Sequence, residues 1–529
     1  MPDSRESPGL LAAVAFGGVL ALAVAVFALA AWLEGVGEVF RADPAAWWSR
    51  LDRQAAIDAI SSAAEVVAGV LAVAITVVAI VVELAANRYT PKITNLFVRH
   101  PTNAIVMGFF VLTTIQCVWV SSVLGRSVPE GALFPYASLA LCVTMVTLCL
   151  LILLPYFAFV FSFLSPRNIV RRIQHQAIRC FERARVRHRR ALHEEAIEAI
   201  EELVDIGRSA RDHSDLGIAM ESVNALRDLV LAYEELCVGV GDEQFDIAGM
   251  LARDSDFVSM DPVARDKLIE QGLWLQVKVL RQYHALFAES LGRAREISHL
   301  ISLNTMRIGA SAVTGRRPLL ALCVQFFNSY LRAAINASDL RTSYYVLHQY
   351  RSLAEETLKA GLDDAAIEIS GHFRFYGQLG YEQGQPFLLE VAAYDLAHLV
   401  EFALTEAPAS VDSLLDLFLR VDEESESPEQ ETRLRGVRRA QVQLATLFLV
   451  RGDEARARRI FDDMRHERPE RLISVRDELL SETRSQYWEF TDRGVNFSYL
   501  PPEQRERVHD FFAWFDALSP PARRVGSAR

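Results

Sequence analysis

The apolar positions are unevenly spaced along the chain, and their pattern divides it in two. Four stretches are long and apolar enough to cross a bilayer, which takes about 20 helical residues. Residues 9–33 carry no charge, residues 66–82 lie between Glu65 and Glu83, and residues 104–124 form the third. The fourth lies within the uncharged stretch 131–165, where Pro155 interrupts the helical pattern. The expected spans therefore cover about residues 9–33, 62–85, 103–124 and 134–163. The first run is about twice the length of a signal-peptide core and reads as a retained helix; its Ala-rich end near Ala30 leaves cleavage as the alternative.

From Ser165 onward the period changes to that of amphipathic helices. Ile269, Leu273, Leu280, Tyr283, Phe287 and Leu291 fall on one helical stripe, and no long alternating pattern suggests a strand. Breaks are expected at residues 254–262, 310–318, around Gly361, at 375–386 and in the acidic loop 422–431. Gly361, Ala366 and Ile369 share offsets with Gly452, Ala457 and Ile460, and residues 435–465 resemble one tetratricopeptide-type hairpin. The fold class is all-α: four transmembrane helices followed by a cytoplasmic helical region of hairpins or a bundle. In domain terms this gives a membrane domain over 1–165 and a charged juxtamembrane helix over 166–206. A helical region over 207–421, C-terminal hairpins over 432–518 and a loose tail over 519–529 complete it.

Charge adds an orientation. The 529 residues carry a net charge of −12, and only 8 Lys and Arg with 10 Asp and Glu fall in the first 165. That excludes a wholly soluble chain, and the acidic balance argues against nucleic acid as a partner. The segment 87–102 carries Arg88, Lys92 and Arg99 and no acid, and residues 167–190 hold nine Arg against Glu182. The segments 34–61 and 121–133 show no such excess. The positive-inside rule then places both termini in the cytoplasm, with the chain in the inner membrane. Trp47 and Trp48 suit an interfacial anchor on the outer side, or simple packing in the outer loop. Arg167, Arg171, Arg172 and Arg179 form a candidate segment for contact with anionic lipid head groups.

One face of the second span stands out. At 100° per residue, Glu65, Gly69, Ala72, Thr76, Ala79 and Glu83 fall within about 40° of one line. The face suits a cation pathway, or close packing of small residues with the glutamates at the interfaces. Both glutamates lie near the membrane surfaces, which favours packing. Either way the face is expected to be buried against protein, within the membrane domain or against a second copy of the chain.

Leu84, Ala85, Tyr89, Thr90, Pro91, Lys92, Phe97 and Arg99 follow that span directly. They resemble the helix end and aromatic–Ser–Pro–Arg segment of a bacterial family of predicted membrane proteins, DUF2254. The likeness is best over about residues 50–165 and faint over 200–360; Glu83 stands where the family has Gln. The resemblance implies four spans with a cytoplasmic helical part and brings no catalytic residues.

Catalytic chemistry has little footing. No phosphate-binding loop, dinucleotide fingerprint, zinc-protease motif or nucleophile elbow occurs. The six cysteines show neither C-x-x-C pairs nor metal-ligand spacing with His. The expectation is no enzyme, no cofactor and no metal. The leading reading is a membrane-anchored scaffold whose cytoplasmic helices bind a protein partner; the alternative is a cation channel or transporter using the polar face of the second span.

Overall fold

The structure is a computed structural model. It describes residues 53–89, 92–98, 100–124, 136–187, 190–237, 247–422, 434–487 and 493–516, together with Ala25, Val26 and Leu29. All regular elements among the described residues are helical. The chain divides into two compact units, residues 1–173 and 174–529.

In the first unit, helix α1 (Arg53–Arg88) leads through the short α2 (Lys92–Val98) into α3 (Pro101–Leu124) and α4 (Tyr136–Phe163). The 36 residues of α1 extend about 54 Å, well beyond the hydrocarbon thickness. The amphipathic turns after residue 52 are continuous with the span, because nothing between Arg53 and Ser62 breaks a helix. The helices α1, α3 and α4 pack pairwise. At one end Ala56, Ile60 and Ala64 of α1 meet Cys117, Val120 and Leu124 of α3 and Leu139 and Cys142 of α4. Ser61 and Ser121 share a hydrogen bond at 2.9 Å, and the Cys149 thiol donates to Thr113 at 3.3 Å. The other end is aromatic. Phe97 of α2 sits 5.4 Å from Phe163, and Tyr156 donates to Asn103 at 2.6 Å. Helix α5 (Pro166–Arg187) follows directly.

The second unit begins within α5 and continues with α6 (Arg190–Asp212), which runs through position 206 where the juxtamembrane helix was expected to end. Then come α7 (Leu216–Cys237), the short α8 (Ile247–Leu251) and α9 (Pro262–Glu270), α10 (Trp274–Ser290) and α11 (Arg295–Ala312). The middle holds α12 (Arg317–Asn336), α13 (Leu340–Lys359), α14 (Asp363–Glu382) and α15 (Phe387–Glu406). After α16 (Val411–Leu419) the chain ends in α17 (Arg435–Val450), α18 (Glu454–Met464), α19 (Pro469–Ser481) and α20 (Pro502–Asp516).

These helices stack in two rows: α7, α11, α13, α15 and α17 in one, and α6, α10, α12, α14 and α16 in the other. The turns between them repeat one geometry. After the last helical turn a residue takes positive φ, and the next amide bonds back five residues, as Asp339 does to Ala334, Leu362 to Thr357 and Asp453 to Phe448. This closes the orphan carbonyls of the preceding helix. Gly361 (φ +70°) and Gly452 (φ +77°) occupy this left-handed position, where a side chain would be strained. Ala366, Ile369, Ala457 and Ile460, at matching offsets, are all fully buried, so the shared spacing marks equivalent hairpins. The unit is a helical-hairpin array.

Three of the four expected spans are long apolar helices. The first, residues 9–33, lies outside the described residues apart from the helical Ala25, Val26 and Leu29; Trp47 and Trp48 lie outside them too. Two expectations on the array need correction. The stripe from Ile269 to Leu291 is not one helix, because Gly272 at φ +62° ends α9 and restarts the chain as α10. The break expected from Phe375 begins only after Glu382, since Gly377 and Gly380 let α14 pack closely on Leu388, Leu389 and Ala392 and so remain helical.

Candidate functional site

The most elaborate polar constellation lies in the array, on the row formed by α13, α15 and α17. Asp395 projects from an apolar helix and is fully buried. Its Oδ1 accepts from Arg351 at 3.0 Å and from Arg493 at 2.7 Å. Arg351 also pairs with Glu355, one turn further along α13, at 3.1 Å. His398 follows Asp395 on α15, with Nδ1 3.5 Å from Glu355. Burial and the neighbouring guanidinium groups push both His348 and His398 down to about 4, so each is neutral near pH 7. Burial pushes Glu355 up, and the adjacent Arg351 offsets part of that rise. The cluster therefore balances two guanidinium groups against two carboxyls.

Arg493 belongs to the connection between α19 and α20, whose residues 493–501 lie against this row without helix or strand. Its side chain is 1% exposed, donates to the Tyr344 carbonyl at 2.6 Å and lies 4.0 Å over the Tyr344 ring. Gly494, at φ +62°, turns the chain immediately after it. Phe497 then enters an aromatic cage, 4.2 Å from Tyr394 and 6.3 Å from both Tyr344 and Phe387. Gln443 of α17 donates to the carbonyls of Phe497 at 2.8 Å and Tyr499 at 3.1 Å. Ser498 donates to Glu478 at 2.6 Å. Cavities of about 590 Å³ and 200 Å³ flank this strap, and Val495 and Asn496 line both.

A second buried charge fastens the array elsewhere. Lys278 of α10, fully buried, reaches Asp254 at 2.6 Å, Asp256 at 3.0 Å and Glu201 at 3.2 Å. Burial draws its pKa down, but the bonds and charges of Asp254 and Asp256 outweigh that and hold it above the ordinary lysine value. The ammonium sits where these carboxylates converge and pins the 252–261 turn to α10. No cluster of His, Cys and acids suited to a metal occurs among the described residues.

In the membrane unit the polar stripe of α1 faces away from the described helices. Glu65, Gly69, Ala72, Thr76, Ala79 and Glu83 are all exposed. The buried line of α1 runs through Ile60, Val67, Ala74, Val78 and Val82, about 145° away around the helix. The stripe is thus not covered by α3 or α4, and among the described residues it lines no pathway. Small Ala and slim Val suffice for the close contact with α3 and α4, and Thr76 satisfies its hydroxyl on the Ala72 carbonyl at 2.8 Å. Gly69 has open space where a Cβ would stand. Of the basic segment, Arg167, Arg171 and Arg179 are exposed, whereas Arg172 folds back over the Phe163 ring at 3.8 Å. The outward faces of α1, α3 and α4 carry Val73, Ile80, Ile105, Leu112, Trp119 and Leu154, all more than half exposed. An apolar surface of that extent belongs in lipid.

Residues 10–216 match DUF2254, a family of predicted membrane proteins. The DUF2254 match takes in the three described spans and α2, whose residues carry the resemblance, and continues through α5 and α6. It starts earlier than the likeness over 50–165 and stops before most of 200–360. No curated protein and no solved structure matches the chain. The chain is a membrane protein, and the hairpin array from α7 onward lies beyond the DUF2254 match.

Asp395, Arg351, Arg493, Lys278 and the two histidines escaped the sequence reading. A signal was present for two of them: Asp395 is a lone acid in Val-Ala-Ala-Tyr-Asp-Leu-Ala-His-Leu-Val, and Lys278 a lone base in Trp-Leu-Gln-Val-Lys-Val-Leu. A charge isolated in an apolar helix is buried with a partner or not tolerated. Arg493 carries no local signal.

Proposed function

We propose that the chain is a membrane-anchored scaffold of the cytoplasmic membrane, without enzymatic activity of its own, whose hairpin array binds a protein partner on the cytoplasmic side. The observation that carries this reading is the row α13, α15 and α17, which holds the segment 493–499 by its backbone carbonyls, an aromatic cage and a buried carboxylate. Hairpin arrays are built to present long surfaces of that kind. The basic residues of 87–102 and 167–190 support a cytoplasmic array, and exposed Arg167, Arg171 and Arg179 suit anionic head groups.

The test is in-cell photo-crosslinking from a benzophenone side chain at Phe387, on the rim of the larger cavity, read by mass spectrometry. A recurrent adduct with one other protein is expected; adducts with lipid or with this chain alone would overturn the scaffold reading. Phosphatase or fluorescent-protein fusions after Ser127 and after Arg190 test the orientation. The two sites are expected on opposite sides, and reports from one side would reverse it.

A further inference from the structure

The strap that crosses the array has the character of a bound ligand. Twenty residues, 482–501, separate α19 from α20, a connection much longer than the usual one in compact domains. Gln443 grips main-chain carbonyls, which every peptide backbone offers whatever its side chains. Among the described residues, Arg493 reaches Asp395 and Phe497 enters the ring of Tyr344, Phe387 and Tyr394, while Asn496 and Leu500 are buried beside them.

Charge states what the empty groove would require. Without Arg493, Asp395 and Glu355 share the single guanidinium of Arg351, and a buried carboxylate is left short of one cation. The Asp395 Oδ2 atom has no hydrogen-bond partner even with the strap in place. The strap also leaves the groove partly open, with about 590 Å³ on one side and about 200 Å³ on the other. An occupant with the same two anchors and larger neighbours would find room.

We infer that the groove between α13, α15 and α17 is a binding site for a peptide carrying an arginine followed four residues later by an aromatic side chain in a turn, and that the chain's own Arg493–Phe497 segment occupies it as a resident competitor. The inference rests on the scaffold reading and gives its partner a chemistry. The arginine satisfies Asp395, the aromatic ring fills the cage, and Gln443 holds the backbone between strap and helix.

The experiment uses the full chain in detergent or nanodiscs and a fluorescein-labelled peptide of residues 493–500. The Arg493→Ala/Phe497→Ala variant is expected to bind the peptide at least tenfold more tightly than the unmodified chain, because its groove has lost the competitor. A peptide with alanine in place of its arginine should bind at least tenfold more weakly, and Gln443→Ala in the double variant should weaken binding of either peptide. Equal binding by the variant and the unmodified chain, or by the two peptides, would overturn the inference. Should the double variant fail to fold, excess peptide added to the unmodified chain is expected to raise hydrogen exchange at residues 493–500; unchanged exchange at saturating peptide overturns it as well. The Phe387 crosslinking result stands apart from these outcomes: a protein adduct there with no peptide binding would keep the scaffold and discard this groove.

Discussion

Helices α4 and α12 are both long and apolar enough to cross a membrane, and they use that character in opposite ways. In α4, mean hydropathy is 2.7 and only 17% of the most apolar window is buried; in α12 the values are 1.2 and 56%. Leu141, Val143, Leu150, Leu154 and Phe161 of α4 face outward, whereas Leu319, Leu320, Cys323, Phe327, Tyr330 and Leu331 of α12 are covered by neighbouring helices. Gln325, Arg332 and Asn336 take the outer face of α12. Hydropathy measures how much apolar surface a helix has, and burial measures what covers it. Lipid covers α4, and protein covers α12.

The sharpest way to break this contrast is at the buried charge. Asp395→Ala leaves Arg351 and Arg493 without their shared acceptor and should destabilise the array by about 3–5 kcal/mol. Chemical denaturation of the full chain in detergent, followed by circular dichroism, would read it. Next comes paired truncation of apolar side chains. Leu280→Ala in the array removes a fully buried side chain and should cost about 2–5 kcal/mol. Val73→Ala, 64% exposed on α1, should change stability by less than about 0.5 kcal/mol. Similar losses for both would mean that Val73 meets protein.

Glycines give a third pair. A Cβ at Gly377 would stand 2.7 Å from the Ala392 Cβ, so Gly377→Ala should cost about 1–3 kcal/mol by forcing α14 from α15. A Cβ at Gly69 meets nothing, and Gly69→Leu should leave the melting temperature unchanged. A shift in the oligomer distribution for Gly69→Leu alone would show that the exposed stripe docks on a second copy.

The smallest effect expected is with pH, since the His398 side chain keeps 35% of its surface in solvent. Both histidines lie near 4 in the folded array, against an ordinary value near 6.5, so they are neutral when folded and bind protons more readily when unfolded. Their contribution is complete above about pH 6.5 and is lost as pH falls from there toward 4. Glu355, held above its usual range by burial, opposes the loss at the lower end. Melting temperatures at pH 7.5, 5.5 and 4.5 should decline in that order. Arg493→Ala should soften the decline by removing one positive neighbour of His348.

Much of the architecture was legible because it rests on local pattern. Uncharged runs marked the spans, and Gly361 and Gly452 marked equivalent turns because a left-handed position leaves few alternatives. The Glu65–Glu83 stripe was expected to meet protein within the membrane domain or in a second copy; α3 and α4 meet the Ala and Val line of α1 instead, and Gly69→Leu tests the second copy. Of the groove, only Asp395 was legible, as a lone acid in an apolar helix. Arg493 meets a residue 98 positions earlier and a carbonyl 149 positions earlier, and no periodicity carries information over such separations.

That separation also sets an order of events during synthesis. The rows of the array grow by local stacking as each hairpin leaves the ribosome, so α13, α15 and α17 can assemble once Val450 has emerged. Arg493 lies 43 residues further on, which at about 5–20 residues per second is a delay of roughly 2–9 s. Throughout that interval the nascent chain presents an acidic, aromatic-lined channel with nothing yet made to fill it. Any chaperone or partner present at the membrane meets the groove before the chain's own strap does.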